Sequence, residues 1–509
     1  MTLSRRRDLR FRALLQAIIA SKFHTLTAAG FSSHQSRLSV PLSSLGSFAF
    51  RSTGNYSQGT IVFERAESQG TVGDGAPPGY DADQKPRVEG TVDVAVEVRS
   101  NSEGLRNDCR LETVEGHERA GLSLTTPAST SVSRLGASLS YHIKVTFPST
   151  FTSLDTLSVE TTGFRLVLGP SLSAIDIASL ELTTTDAPIV LSSTRCGSAQ
   201  LRNQNLLDPN KHALKNFDDL VQGSLSATGR IDIQCENGPI SGSYTTPGAI
   251  VASTTNFAIK GDFKGATLRI TNQNAEVSGR FEAKRDVVVS TQHGKVEGVF
   301  KAPSGCEVKG QYVGIKGEFE VGSHLRLLTT VFRIDATIRL LAPSSSLLSP
   351  PGAAPVTRTL SNATSSTSEA DLPPTFEDAL ASSSASGGSF GVVTVAAETT
   401  DAGVELVFPA PVPAMCALRT TARSSGGSRV AVTHARGWEG RFSASTTLTH
   451  TATLSSLTSG GPAAPPVHYD TQKRSEVTGF VGSGAGAGAG DGRNRTHVES
   501  DGPVEIVLL

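Results

Sequence analysis

From Leu225 to Leu341, apolar and polar positions follow one pattern that recurs six times with a spacing of about nineteen residues. A small residue marks each copy: Gly242, Gly261, Gly279, Gly298, Gly317 and, last, Ala336. Two residues before the mark stands a branched apolar residue (Ile240, Ile259, Val277, Val296, Ile315, Ile334), and two after it a large one (Tyr244, Phe263, Phe281, Phe300, Phe319, Ile338). Nine and eleven before it lie apolar pairs such as Ile233 with Ile231, Ile270 with Leu268 and Val308 with Cys306. Period-two alternation makes each pair a short strand with one inward face. Two such strands per copy, at a fixed short period, are the pattern of a β-solenoid, in which each turn stacks on the last. The expected fold class is all-β: a β-solenoid of about 19-residue coils with an N-terminal antiparallel β capping module.

The module is expected over 46–178. Within it Val88, Val92, Val94, Val96 and Val98 alternate with polar residues, Cys109 to Leu124 offers two short strands, and Leu139 to Phe147 alternates again. Its expected task is to cover the open end of the coil, where unpaired backbone groups would template aggregation. Residues 1–45 lack sustained periodicity and are expected to be disordered, apart from a short helix near Leu9 to Ala20. The solenoid is expected over 179–341, with Leu180, Leu182 and Ile189 in an early copy, Asp186 and Pro188 at its turn, and the regular coils at 225–341. Thr194 to Val221 departs from the pattern and predicts an inserted loop. Residues 342–388, rich in Ser, Pro and Ala, predict a disordered insertion, after which 389–509 continues the solenoid at Val395, Phe408, Trp438 and Ile506.

Composition narrows the functions. The formal net charge of -1 over 509 residues gives no global field to recruit nucleic acid or an anionic membrane. Aromatics make up only 6%, which suits a thin core of β-branched and small residues. No apolar run is long enough to span a bilayer as a helix. Arg5, Arg6, Arg7, Arg10 and Arg12 precede the apolar stretch Ala13 to Ala20, which fits a mitochondrial presequence somewhat better than a signal peptide; mitochondrial and cytoplasmic locations both stay open. Cys109, Cys196, Cys235, Cys306 and Cys416 are widely spaced with no C-x-x-C pair, so no metal site is expected; a Cys109–Cys196 disulfide stays open. Sequons stand at Asn55, Asn362 and Asn494, as often as Ser and Thr richness provides by chance.

Certain motifs carry a resemblance. ENGPISG (Glu236 to Gly242), TNFAIKG (Thr255 to Gly261), QNAEVSG (Gln273 to Gly279) and SDGPVEIVL (Ser500 to Leu508) resemble the putative adhesin domains of unknown function, known in bacteria and, in a larger form, in basidiomycete fungi. The resemblance covers roughly 46–509. It implies a β-solenoid ectodomain at the cell surface, usually membrane-tethered in the fungal members, with no established activity; this chain departs from them in lacking the spanning segment.

No catalytic constellation is expected, no cofactor, and no metal. A glycosidase-like pair would need two carboxylates on neighbouring coils of one face. The column after the mark reads Ser243, Asp262, Arg280, Val299, Glu318, Thr337, and the one before it Ser241, Lys260, Ser278, Glu297, Lys316, Asp335, so acids alternate with bases and hydroxyls. A carbohydrate-active β-helix enzyme, lyase or hydrolase, using the surroundings of Asp262, Asp286 and Glu318 is the alternative; an intracellular or organellar scaffold is another. Six before the mark stand Glu236, Thr255, Gln273, Gln292, Gln311 and Thr330, expected to form an axial amide ladder or, more sharply, a flat sugar- or ice-like lattice-binding face. Beside them Asn237, Asn256 and Asn274, with Asp186, Asp401 and Asp501 in outlying copies, suit corners that demand a left-handed backbone. PPGY at Pro77 to Tyr80 matches a polyproline turn for WW-type domains but sits in a Gly/Pro-rich loop, and GGSFG at Gly387 to Gly391 lacks the strand-then-helix setting of a nucleophile elbow. Lys295, Lys301, Lys309 and Lys316 form a mildly basic stripe, as a solvated face does. A surface-contact protein, structural or adhesive, binding cell-wall polysaccharide or another protein surface, is what the pattern and the resemblance together suggest.

Overall fold

The structure is a computed structural model that describes residues 32–41, 46–54, 58–67, 91–101, 107, 109–115, 119–127, 139–204, 220–342, 391–413, 416–436, 438–447, 450–456, 466–482 and 494–509. The described elements are thirty β-strands and one short 3-10 helix, Pro170–Ala174, and the protein is all-β. The PPGY stretch, the Arg-rich start, the expected helix near Leu9 to Ala20 and residues 343–388 lie outside them.

The six copies pair in register and in parallel. Gly242 faces Gly261, which faces Gly279; Gly298 faces Gly317, which faces Ala336. The second strand of each copy forms a separate row: Ile231 faces Ile250, then Leu268, Val287, Cys306 and Leu325. The apolar residues on either side of the marks, and the apolar pairs nine and eleven before them, are at most 1% exposed; Ala336 is 3% exposed and the five glycine marks are half-buried. Fully burying one such side chain stabilises by about 1.5–3 kcal/mol, so the row that repeats it each copy is the main cohesive term. Tyr244, Phe263, Phe281, Phe300 and Phe319 stack in one column with ring centroids 5.3, 5.5, 5.0 and 4.9 Å apart.

The mark is glycine for a steric reason. Gly242 and Gly261 have φ of 140° and 147°, and a Cβ on either would lie 1.9–2.0 Å from the carbonyl oxygen of the glycine one rung back. No side chain fits there.

The parallel rows continue beyond the six copies. Asp176–Thr185 pairs with both Ser153–Thr162 and Ile189–Gln204, and on the far side His324–Leu328 pairs with Gly391–Thr399 across the 342–388 stretch. The expected boundary at 178/179 therefore cuts a strand. The loop expected from Thr194 is strand as far as Gln204, because Ala199, Leu201 and Asn203 pair with Ile231, Ile233 and Cys235.

The N-terminal region corrects the expectation of an antiparallel module. Ser47–Thr53 pairs in parallel with Arg119–Thr125 on one side and Ser153–Thr162 on the other; Gly59–Arg65 pairs in parallel with Leu139–Phe147 and Phe164–Leu168. Only the outer strands are antiparallel: Arg110–Glu115 on Arg119–Thr125, Thr91–Ser100 on Leu139–Phe147, and Ser32–Pro41 on Thr91–Ser100. That last strand falls in the stretch expected to be disordered; Leu38 and Val40 reach the core from a Ser-rich segment too polar to announce itself. The alternating Val residues at 92, 94, 96 and 98 are buried as their spacing predicts.

The C-terminal end behaves alike. Arg495–Ser500 lies between Cys416–Ser424 and Gly440–Thr446, and Val504–Leu508 lies between Val430–His434 and Ala452–Ser456, all in parallel. An antiparallel hairpin, Val467–Lys473 with Glu476–Val481, then covers Gly440–Thr446. The sequon residue Asn494 ties the terminal strand in: its Oδ1 accepts from the Leu418 amide at 2.9 Å and its Nδ2 donates to the Glu439 carbonyl at 2.8 Å.

Candidate functional site

The corner that follows the second strand of each copy is built of three adjacent columns. The innermost holds Cys235, Thr254, Asn272, Thr291, Gly310 and Thr329, which pack inside the corner. Thr254 Oγ1 donates to the Gly238 carbonyl at 2.9 Å, Asn272 Nδ2 to the Phe257 carbonyl at 2.9 Å and Thr329 Oγ1 to the Val313 carbonyl at 2.7 Å. Each of these bonds ties a corner to the one before it. Asn203 to Ala187 and Ser424 to Ala402 repeat the device beyond the six copies. A buried carbonyl left unpaired costs about 1–3 kcal/mol, so the column holds the corners rigid. Its signal in the sequence was a Thr or Asn at the end of the second strand in four of the six copies, with Cys235 and Gly310 in the other two.

The next column, Glu236 to Thr330, faces solvent, and the amide ladder expected of it forms one position further along. Asn256 Nδ2 donates to Asn237 Oδ1 at 2.5 Å, and Asn274 Nδ2 to Asn256 Oδ1 at 2.7 Å. These asparagines do not take the left-handed backbone expected of them: among the corner residues named for it, only Asp186 has a positive φ, 59°. Axial amide bonding is what suits Asn here, as in stacked cross-β amides. The same column continues into rings. His293 and Tyr312 stack at 5.0 Å with planes 5° apart and Tyr312 is 46% exposed; on the next rung Phe332, one position aside from the column, is 49% exposed. In the adjoining column Thr330 Oγ1 donates to the Gln311 carbonyl and Thr400 Oγ1 to the Thr330 carbonyl, while Ser425 and Asp501 carry the corner on. Where it does so, a groove of about 510 Å³ runs between the corner and the outward side chains of Leu328, Glu398, Arg423 and Glu499.

The flat faces are chemically different. Lys264 pairs with Glu282 at 3.3 Å, Lys301 with Glu320 at 3.5 Å, and Lys316 with Glu297 at 3.9 Å, all along the stacking direction. Lys295 hydrogen-bonds Glu297, which lowers that carboxyl's pKa. Each lysine of the expected basic stripe thus faces a glutamate, in exposed pairs of little energetic worth.

The carboxylates of the enzymatic alternative do not meet. Asp262 faces Arg280, which is followed in the column by Val299 and Glu318, so Asp262 and Glu318 stand three steps, about 14 Å, apart. A glycosidase pair needs about 5–9.5 Å. Asp286 lies in the other row, against Thr267 and Gly305. Glu318 faces Arg339 at 3.8 Å. Among the described residues no group of three or more His, Cys, Asp or Glu is placed to hold a metal ion, and no helix is long and apolar enough to cross a membrane.

None of the five cysteines forms a disulfide. Cys109 Sγ lies 2.8 Å from Tyr141 Oη, and Cys196 is buried in its own strand with its thiol pushed up to about 12, so the two are not the pair that spacing left open. A buried polar group that residue spacing missed is His434. Its ring stacks between Phe408 at 5.1 Å and Trp438 at 4.4 Å, its Nε2 lies 2.8 Å from Thr496 Oγ1, and burial pushes its pKa down to about 3.

No family model matches the chain, and no curated protein matches it. A solved structure that does match is the crystal structure, at 1.95 Å, of a protein described as a putative cell adhesion protein from Clostridium sporogenes ATCC 15579. The match covers 94% of this chain and 100% of that one at 6% identity, with a TM-score of 0.14, too low for the superposition to carry any argument here.

Proposed function

We propose that the protein is a non-enzymatic β-solenoid of the adhesin type that works by surface contact, at a cell surface or wall, through the amide and aromatic strip of its corner. The solenoid reading is supported by pairing in which each copy stacks in register on the copy before it. The adhesin type and the cell-surface setting rest on the motifs Glu236 to Gly242, Thr255 to Gly261 and Gln273 to Gly279 and the resemblance they carry. One observation carries the choice of surface: Asn237, Asn256 and Asn274 hydrogen-bond from rung to rung, and His293 and Tyr312, on the next two rungs of the same column, stack on each other, beside flat faces that carry paired charges. Fixed groups at a regular spacing bind an extended surface without losing side-chain freedom on contact.

Labelled full-length protein incubated with cell-wall preparations should bind without releasing reducing ends, and substitution of the strip should abolish retention. Turnover of a polysaccharide that disappears with Glu318→Gln would overturn the non-enzymatic part. Tagging at the C-terminus, with and without residues 1–25, tests the setting: signal confined to an organelle in both forms would overturn a cell-surface role.

A further inference from the structure

We infer that the strip binds an uncharged polysaccharide chain lying along the stacking axis from Asn237 to Tyr312, an inference that rests on the strip being the contact surface. Charge makes the first argument. Beyond Glu236 at one end, the two outward corner columns contain Thr255, Gln273, Gln292, Gln311 and Thr330, and Asn237, Asn256, Asn274, His293 and Tyr312, with no carboxylate, lysine or arginine among them. The flanking strands place an acid or a base on almost every rung. A polyanion or a charged peptide finds no partner ions in such a strip, whereas hydroxyl groups do find partners.

Hydrogen-bonding capacity makes the second. Asn237 uses one carbonyl lone pair, Asn274 one N–H and Asn256 one of each, and an amide has two of each, so each of these three rungs keeps a donor and an acceptor for a ligand. The hydroxyl hydrogens of Thr330 and Thr400 are held by backbone carbonyls, which leaves their lone pairs to accept from a ligand. A chain of sugar hydroxyls, donor and acceptor at every position, matches that mixture.

Periodicity and shape make the third. Rungs repeat at about 4.8 Å, close to the rise of one pyranose unit in an extended β-linked chain, so successive sugars keep step with successive rungs without the chain having to bend. At the end of the row Tyr312, with Phe332 one rung on and one position aside, exposes apolar surface beside polar groups, which suits the mixed C–H and O–H faces of a pyranose.

Co-sedimentation of the full chain with insoluble neutral polysaccharides, a β-glucan and chitin, with polygalacturonate as the polyanion, tests this. Retention on a neutral polymer that survives high salt is expected. Gln292→Glu with Gln311→Glu should weaken it at least about tenfold, and Tyr312→Ala several-fold, while Lys301→Glu on a flanking face leaves it unchanged and circular dichroism shows all variants folded. Retention on polygalacturonate alone, or equal retention of the double variant, overturns the inference. Wall binding that is lost in the strip variants yet survives enzymatic removal of neutral polysaccharide overturns the polysaccharide and keeps the contact surface; wall binding indifferent to the strip variants overturns both.

Discussion

The middle and the ends of the molecule are made of the same strands and assembled by different rules. From Ile231 to Leu340 each strand pairs with the strand one copy on, so chain order is spatial order. At both ends the order is broken. The strand Ser47–Thr53 is sandwiched beneath Arg119–Thr125, and the terminal strand Arg495–Ser500 beneath Gly440–Thr446. Neither of these strands lies at an open edge; the antiparallel ribbons do, and they carry polar residues, Arg110 and Glu112 at one end and Asp470, Gln472 and Lys473 at the other. A repeat array that stacked in order would end on a bare apolar rung, ready to pair with another molecule. Folding the terminal rungs inward puts irregular strands outside.

The expense of that arrangement is small in stability. Extending the span between partners from one copy to the 76 residues that separate Arg429 from Glu505 is two doublings, about 1 kcal/mol of loop closure. Its larger effect is on rate, since non-local pairings form late.

The comparison can be broken most severely in the middle. Phe281→Asp puts an unpaired charge at a position 0% exposed, between Phe263 and Phe300, and should abolish folding as judged by far-UV circular dichroism. Deleting 494–509 comes next. If the terminal rung is a keystone, removal should unfold everything from 391 onward in limited proteolysis, where loss of the last rung of an ordered stack would merely trim it. Gly261→Ala should cost more than about 3 kcal/mol in chemical denaturation, because its Cβ would strike the Gly242 carbonyl; Ala336→Gly, on the rung where the row already tolerates a Cβ, should cost under about 1 kcal/mol.

A pH titration separates the regions more gently. His434 is held neutral in the fold, while in the unfolded chain it protonates near its ordinary value, so between 6.5 and about 3 the unfolded state carries the extra proton and stability falls as pH drops. Melts at pH 7 and 4.5 should show a loss of about 2–3 kcal/mol that His434→Phe largely removes. Lys295→Glu marks the lower limit: on a solvent-exposed pair it should leave the melting temperature unchanged within error.

How far the residues alone announced all this depends on the region. The aromatic column, the glycine marks and the inward faces were legible because each rung contacts its neighbours through the same positions. The candidate strip was half legible. Its Gln and Thr column was recognised, but the amide chain lies at Asn237, Asn256 and Asn274, because a short side chain at the corner apex reaches its counterpart along the axis and a longer one beside it turns to solvent. The interior Thr and Asn column passed unnoticed, since a polar residue at a strand end is ordinary until its carbonyl partner on another rung is known.

The residue pattern by itself determined that this chain is all-β, where its copies begin, which side chains face inward and that a small residue recurs at the marks, since these follow from local alternation and a fixed period. Tertiary structure alone decided which rung lies on which at the two ends, where the antiparallel ribbons sit and that residues 310 and 501 border one groove. The physical reason is that rungs with the same inward pattern are interchangeable partners. Only the closure of the whole stack, with its last apolar faces covered, selects one order among them.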